Sequence, residues 1–349
     1  MISTISPLAP LQRRIDEEFA RIASELTRRG FLAGAAGTAL LAGLAACGDG
    51  GSPSAAVPTT RTIDTGRGRV TVPADPRRVV CIDYFTAVFL IELGLTPVGG
   101  IDYSWVDRTT MFPSYVAPLK ALPDIGEITS TNIEKVVDLH PDLILGPTPG
   151  SRYDNSKGAM GKLGSVAPVA SVDFGKSGDW RGPFAQTANI VNRQQQLAPL
   201  LASYRDAVKK TKETYRGLLA RIVVSVVDYA QSGQYAVDLP RSGNGVVLAD
   251  LGVRFGKASV DDGTNSRELS FERVDALADS DLILYRADAD GKPTSGLADV
   301  FALPSWKSLP AVRAGHVYPI GWADLCTYRW AELAIRDLSS IFDRYQGVV

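Results

Sequence analysis

The amino-acid sequence predicts an α/β protein of two similar, doubly wound lobes joined by one long helix, with a ligand cleft between them. Three observations predict it. The stretch 196–215 places Leu197, Leu200, Leu201, Tyr204, Val208, Thr211 and Tyr215 at three- and four-residue steps, with polar residues on the other faces. That is one apolar stripe at helix period. Two echoes flank it. Val136-Val137-Asp138-Leu139-His140-Pro141-Asp142-Leu143-Ile144-Leu145 precedes it, and Val274-Asp275-Ala276-Leu277-Ala278-Asp279-Ser280-Asp281-Leu282-Ile283-Leu284 follows. Both read as a helix end, a turn, and Asp-Leu-Ile-Leu entering a buried strand. Glu92-Leu93-Gly94-Leu95 is echoed likewise by Asp250-Leu251-Gly252-Val253. The two echoes have unequal offsets, so insertions separate the copies, and two copies are too few for a solenoid. Finally, strand and helix signals alternate on both sides of the long helix, which implies parallel sheets.

The bulk numbers fit this class. A chain of 349 residues accommodates two ordinary domains. It is 45% hydrophobic and 21% charged, a globular balance. The net charge of −1 gives no basic surplus, so no nucleic-acid partner is expected. Three cysteines and two histidines are too few to suggest a Cys/His zinc site.

Residues 1–46 read as an export signal. Thr27-Arg28-Arg29-Gly30-Phe31-Leu32 precedes an apolar run over 31–46 that is short and rich in Gly and Ala. Its Arg-Arg-x-Phe-Leu pattern resembles the twin-arginine signal. The run ends Leu44-Ala45-Ala46-Cys47-Gly48, which resembles a bacterial lipobox. Cleavage would fall before Cys47, whose sulfur would carry diacylglycerol, with a palmitate-type chain adding to the hold. Two or three acyl chains anchor what one would hold only reversibly. Residues 47–60, rich in Gly, Ser, Pro, Ala and Thr, read as a lipidated flexible tether.

The first lobe is expected over 61–180. Ile63 and Val70-Thr71-Val72 flank Thr65-Gly66-Arg67-Gly68, a hairpin signature. Strands follow at 79–82, 97–101, 142–145 and 168–172, with helices at 85–95, 132–140 and 156–164. The linking helical segment is 181–217, with Pro199 near its start and Gly217 as its stop. The second lobe spans 218–349, with strands at 221–227, 235–239, 282–284 and 317–320. Helices are expected from 246, over 270–278, 306–314 and 324–345.

In such sheets ligands bind beyond the carboxyl ends of the strands. Those ends carry aromatics and arginines. In the first lobe they are Asp83-Tyr84, Asp102-Tyr103-Ser104-Trp105 and Ser151-Arg152-Tyr153. In the second they are Asp228-Tyr229, Arg241, Tyr285-Arg286 and Trp322, with Arg329 a little later. Each aromatic could also plug its own loop; recurrence at successive strand ends favours a lined cleft. Because neighbouring strand residues alternate in direction, only one of Tyr285 and Arg286 can face that cleft.

No catalytic constellation emerges. Gly175-Lys176-Ser177 lacks the glycine five positions earlier that a phosphate loop needs; position 170 is Ala. There is no Gly-x-Ser-x-Gly. His140 ends a helix and His316 sits in a turn. Cys81 lies in a strand as a buried apolar residue; its pairing with Cys326 is not legible. No enzyme and no resident cofactor or metal are expected.

An ordered series of motifs points further. Pro76-Arg77-Arg78-Val79-Val80 is followed by Leu93-Gly94-Leu95-x-Pro97-Val98-Gly99. Gly126, Asn132-Ile133-Glu134 and Leu139-x-Pro141-Asp142-Leu143-Ile144-Leu145 come next. This series resembles the binding proteins of ABC importers for ferric siderophores, haem and cobalamin. Ser305-Trp306-x-x-Leu309-x-Ala311-Val312-x-Ala314-Gly315-x-Val317-Tyr318 resembles their second lobe, so the likeness covers about residues 61–345. It implies a class III periplasmic-binding-protein-like fold of two Rossmann-like lobes, with small opening and closing. It also implies a monomeric, lipid-anchored receptor on the outer face of the cytoplasmic membrane, handing an iron chelate to a permease. One surface glutamate per lobe would meet permease arginines. Glu134 matches one position directly; Glu272, in Ser270-Phe271-Glu272-Arg273-Val274, matches the other with one extra residue before Asp281. Thr131-x-x-Glu134 also reads as a capping box. The expected ligand is a ferric siderophore, its negative oxygens met by arginines and its faces by Tyr and Trp. Haem, with a cleft tyrosine as axial ligand, is second, and cobalamin third.

Overall fold

The computed structural model describes residues 59–65, 68–106, 113–127, 129–148, 159–288, 291–293, 296–322 and 325–348. The export signal, Cys47, Arg152 and Tyr153 lie outside these residues.

A hairpin opens the fold: β1 (Thr60–Thr65) pairs antiparallel with β2 (Gly68–Pro73), with Ile63 opposite Val70. The first sheet then forms from β3 (Val79–Cys81), β4 (Gly99–Gly100), β5 (Leu143–Pro147) and β6 (Val169–Val172). Its order is β4-β3-β5-β6, and every pair is parallel. β3 and β5 are buried along their whole length, as expected of a parallel sheet covered on both faces.

The second sheet contains β7 (Val223–Gln231), β8 (Gln234–Asp238), β9 (Arg254–Phe255), β10 (Ser266–Ser270), β11 (Leu282–Arg286) and β12 (Val317–Ile320). Its order is β10-β8-β7-β11-β12, with β9 also on β7. The β9-β7-β11-β12 part is parallel, whereas β8 and β10 run antiparallel.

The repeated Asp-Leu-Ile-Leu has a physical reason. Asp142 accepts from the backbone N–H groups of Arg77 (2.8 Å) and Arg78 (3.0 Å), and its own N–H donates to Arg78 O (2.9 Å). Asp281 does the same: its carboxylate accepts from Val223 N (2.8 Å), and its N–H donates to Val223 O (2.9 Å). Each aspartate ties the entry of one parallel strand to the start of its neighbour and satisfies donors that would otherwise lack partners. The second echo is a helix stop. Helices Tyr84–Glu92 and Gly243–Leu251 both end against glycines in the left-handed region, Gly94 (φ +75°) and Gly252 (φ +81°).

The linking helix runs Gln194–Thr214, about 30 Å of helix. Leu197, Leu200, Leu201, Tyr204 and Thr211 are its buried stripe. Two details differ from expectation. Pro199 lies well inside the helix, and Gly217 does not stop it. The chain bends at Tyr215, whose hydroxyl donates to Ser339 O (3.0 Å) and Asp343 Oδ1 (2.8 Å) of the C-terminal helix Tyr328–Val348. Further differences lie in short elements. The stretch 270–278 is a 3₁₀ helix, Phe271–Leu277, rather than an α-helix. The expected 306–314 helix is two turns, Pro304–Lys307 and Pro310–Arg313, each opening on a proline.

One apolar core crosses from lobe to lobe through the linking helix, joining Val79 and Leu143 to Leu197, Tyr204, Val224 and Leu284. Two smaller clusters back the outer sheet faces. Buried polar clamps add to it. Glu92 of the first lobe accepts from the Tyr115 hydroxyl and, at 3.1 Å, from Arg329 N of the second; Tyr115 also meets Thr327 Oγ1 at 2.8 Å. Asp250 accepts two bonds from Arg181 Nη1 (2.9 Å each) and one from the Tyr204 hydroxyl (2.7 Å). Arg181 is completed by Asp179, with Nε to Oδ1 at 2.8 Å and Nη2 to Oδ2 at 2.6 Å. Cys81 and Cys326 are both buried free thiols, so no disulfide joins them.

Candidate functional site between the lobes

The two lobes meet at a seam beside the carboxyl end of β6. The segment after β6 crosses to the loop after β8: Gly178 N donates to Arg241 O (2.8 Å), and Trp180 Nε1 to Gly243 O (3.4 Å). These contacts bring the segment that follows the carboxyl end of β6 against the loop that follows the antiparallel strand β8.

On the first lobe, Asp83 caps helix Tyr84–Glu92, accepting from Thr86 N at 2.9 Å. Burial pushes its carboxyl up to about 6, against the pull of those hydrogen bonds. Tyr84, half-buried, sets its ring against Phe85 (4.9 Å) and Trp105 (5.4 Å). Asp102 folds the next strand end into a tight turn, accepting from Ser104 N (2.8 Å) and Oγ (2.9 Å). That turn lets Trp105 Nε1 donate to Asp102 O (2.9 Å). Tyr103 corrects the expectation of a ligand-facing ring. It is 4% exposed, donates to Asp83 O (3.2 Å), and lies so close over Gly100 that a Cβ there would meet its ring at 2.7 Å. Tyr103 supports the loop from beneath, and only glycine leaves room for it. Phe174, after β6, stands 5.4 Å from Phe85 and, only 4% exposed, packs beneath these rings as core.

On the second lobe, neighbouring residues of β11 part company as strand alternation requires. Tyr285 turns to the outer cluster, edge-on to Phe301 (5.1 Å), with its hydroxyl on Gly291 O (3.0 Å). That occupies it away from the seam. Arg286 goes the other way and pairs with Asp228 across β7, Nη1 to Oδ1 at 3.2 Å. Asp238 sits beside that pair, fully buried, accepting from Asn244 Nδ2 at 2.8 Å. Burial, then the Asp228 charge, pushes the Asp238 carboxyl up to about 8. Asp228 and Asp238 were not among the candidates from sequence; Asp228 directly precedes one. Arg241 pairs with Asp261 (3.1 Å), and Tyr229 donates to Glu268 Oε1 (2.6 Å). Trp322 is only 1% exposed, and its Nε1 has no hydrogen-bond partner among the described residues. Its ring is thus packing, not an open platform. Arg329 is exposed.

The two surface glutamates are both exposed. Glu134 is in the first turn of helix Ile133–Asp138, capped by Asn132, whose Oδ1 accepts from Lys135 N (3.0 Å). The cap is therefore one residue later than a Thr131 capping box. Glu272 opens the 3₁₀ helix Phe271–Leu277, its carboxyl held low by a hydrogen bond from Ser270. A separate cavity of about 460 Å³ lies in the second lobe beside Lys257, Arg267, Arg273 and Asp279, away from the strand-end seam. Arg267 is already paired there with Asp262 (3.0 Å).

Residues 79–321 match the sequence profile described as periplasmic binding protein. The chain belongs to that family. It is 28% identical over 298 residues to the iron(3+)-hydroxamate-binding protein FhuD of Bacillus subtilis, covering 81% of this chain and 88% of that one. It is 25% identical over 297 residues to the probable siderophore-binding lipoprotein YfiY of the same organism, again covering 81% and 88%. It also superposes on the siderophore periplasmic binding protein from the fuscachelin gene cluster of Thermobifida fusca. That match has a TM-score of 0.66 and 26% identity, over 79% of this chain and 98% of that one. Family membership, the parallel first sheet and the mixed second sheet agree on a two-lobed receptor fold.

Proposed function

We propose that this protein is the extracytoplasmic receptor of an iron-chelate ABC importer. It binds a ferric siderophore between its lobes and presents it to the permease. One observation carries the reading: the segment after the carboxyl end of β6 in the first lobe meets the second lobe beside β8, Gly178 N donating to Arg241 O, so that a strand-end loop of the parallel first sheet borders the lobe interface. Tyr84 and Trp105 supply flat contacts on one side, and Arg241 and Arg286 polar ones on the other. The relatives' names, an iron-hydroxamate-binding protein and siderophore-binding proteins, support the same ligand class. Iron arrives with its coordination sphere filled by chelator oxygens, so the protein reads an outer face and need supply no metal ligand.

The finer parts of the reading follow. Cys47 carries the lipid that holds the receptor, as a monomer, on the outer face of the cytoplasmic membrane; the relative named as a lipoprotein supports this. Residues 1–46 direct export by the twin-arginine route. The chain divides at 61–180, 181–217 and 218–349 into lobe, linker and lobe. Glu134 and Glu272 dock on the permease, and catalysis has no part in the function.

The test is a titration of the full chain in detergent, following tryptophan fluorescence. The titrants are a ferric hydroxamate, a ferric tris-catecholate, ferric citrate and haemin. Saturable quenching by at least one ferric chelate, and weaker quenching by its iron-free chelator, is expected. Binding of haemin alone would transfer the receptor to haem. Binding of none would overturn the proposal.

A further inference from the structure

Resting on that reading, we infer that Tyr103 is a positioning residue of the ligand site: from beneath its strand-end loop it fixes Trp105 against Tyr84 as one prearranged aromatic platform. Tyr84 and Trp105 are both half-buried, with ring centroids 5.4 Å apart. They come from different strand ends, Tyr84 after β3 and Trp105 after β4. Tyr103 ties those two ends together. Its hydroxyl donates to Asp83 O at 3.2 Å, the carbonyl of the residue directly before Tyr84. Its own carbonyl accepts from Val106 N at 3.2 Å, the residue directly after Trp105. One residue thus holds a chain neighbour of each platform ring.

The two glycines of β4 make the space for this ring. Neither Gly99 nor Gly100 has a positive φ, so backbone conformation does not call for glycine at either position. Space does. Successive strand residues face opposite sides of a sheet. A Cβ on Gly99 would collide with Leu139 Cδ1, and one on Gly100 would meet Tyr103 Cε2 at 2.7 Å and Oη at 3.0 Å. Tyr103 is buried and bonded at its hydroxyl, so its ring has no room to swing aside. An added methyl group at Gly100 would lift the ring, and the loop with it. Asp102 completes the loop: its N–H donates to Gly126 O (3.2 Å), and its carbonyl accepts from Trp105 Nε1 (2.9 Å).

A flat contact depends on the tilt and height of the ring that makes it. A ring already held in place also spares the ligand the entropy of ordering it, which raises affinity without any new contact. Tyr103 is too deeply buried to touch a ligand itself, so its effect passes through Trp105 and Tyr84. Without the hydroxyl, the loop after β4 loses its link to the loop after β3. The chelate must then order the indole on binding, and affinity falls.

The experiment uses the full chain in detergent and two readouts. The first needs no ligand. Trp180, Trp306, Trp322 and Trp330 are buried, so acrylamide quenching of the fluorescence reports chiefly on Trp105. Tyr103→Phe, which removes only the hydroxyl, and Gly100→Ala, which displaces the ring, should both increase that quenching. The second readout is affinity for ferrichrome, ferrioxamine B, a ferric tris-catecholate and ferric citrate, measured by ultrafiltration with assay of the retained iron. A chelate that binds the unaltered chain should bind Tyr103→Phe about two- to tenfold more weakly, the scale of one neutral hydrogen bond. In a Trp105→Ala background the same substitution should leave affinity unchanged, because the group it acts through is gone. Tyr103→Phe carries the test if Gly100→Ala fails to fold. Unchanged quenching in Tyr103→Phe, or a loss of affinity as large without Trp105 as with it, would overturn the positioning role and leave the receptor reading intact. Failure of all four chelates to bind the unaltered chain would overturn that reading, and this inference with it.

Discussion

Asp238 shows how much one side chain depends on its surroundings. It is buried, faces the charge of Asp228, and its carboxyl is raised to about 8. A raised carboxyl means that the folded state holds the proton more tightly than the unfolded chain, whose aspartates titrate near about 4. Its stabilising contribution is therefore complete below about pH 4 and is lost as pH rises through about 8. Asp238→Asn keeps an acceptor for Asn244 and cannot ionise. Between those limits the unaltered chain should lose a few kcal/mol of unfolding free energy relative to Asp238→Asn. Denaturant melts across that range would check this, and a constant difference between the two proteins would refute it. Asp250 is a second buried carboxyl, pushed up by burial against the pull of Arg181 and Tyr204, to which it is tied. Asp250→Ala removes the acceptor of two guanidinium bonds and one hydroxyl. A loss of about 3–5 kcal/mol in unfolding free energy is expected, the range for breaking a buried ion pair.

Much of the architecture was legible at the scale of elements because its motifs have local jobs. The two Asp-Leu-Ile-Leu stretches recur because Asp142 and Asp281 each secure a parallel strand to its neighbour. Leu-Gly pairs recur because Gly94 and Gly252 take a left-handed turn that ends a helix. Elements without such signals were not legible. β9 has two residues, and β10 is a half-exposed stretch with a charge at its centre. The candidate strand-end residues were legible in position more than in direction. A strand-end aromatic can face the cleft or fold beneath its own loop, and Tyr103 does the second because Gly100 leaves room for its ring. Nor can a single strand reveal the Arg286–Asp228 pair, which needs β7 and β11 side by side. Glu134 and Glu272 belong to this scale, each opening the helical turn before an Asp-Leu-Ile-Leu strand. Replacing both with Ala should reduce uptake of iron chelate into cells by more than either single change, since exposed pairs are individually weak. Affinity for the free chelate should not move. An equal loss of binding in the purified protein would place these residues in the cleft instead of on the docking face.

At the scale of the whole molecule, a core continuous across the seam and the clamps at Glu92 and Asp250 hold the lobes in register. The proposed place on the membrane depends on one atom, the Cys47 sulfur. Cys47→Ala should leave an uncleaved precursor or a protein released from the membrane fraction, and normal processing with continued membrane association would exclude the lipid anchor. The central claim concerns where the ligand sits. Crystals of the protein grown with a ferric chelate, and measured at the iron absorption edge, would locate the metal directly from its anomalous signal. The account predicts one iron site in the interlobe seam, with Trp105 and Tyr84 on one side and Arg286 on the other. An iron site bound anywhere else on the protein, with that seam empty, would contradict it.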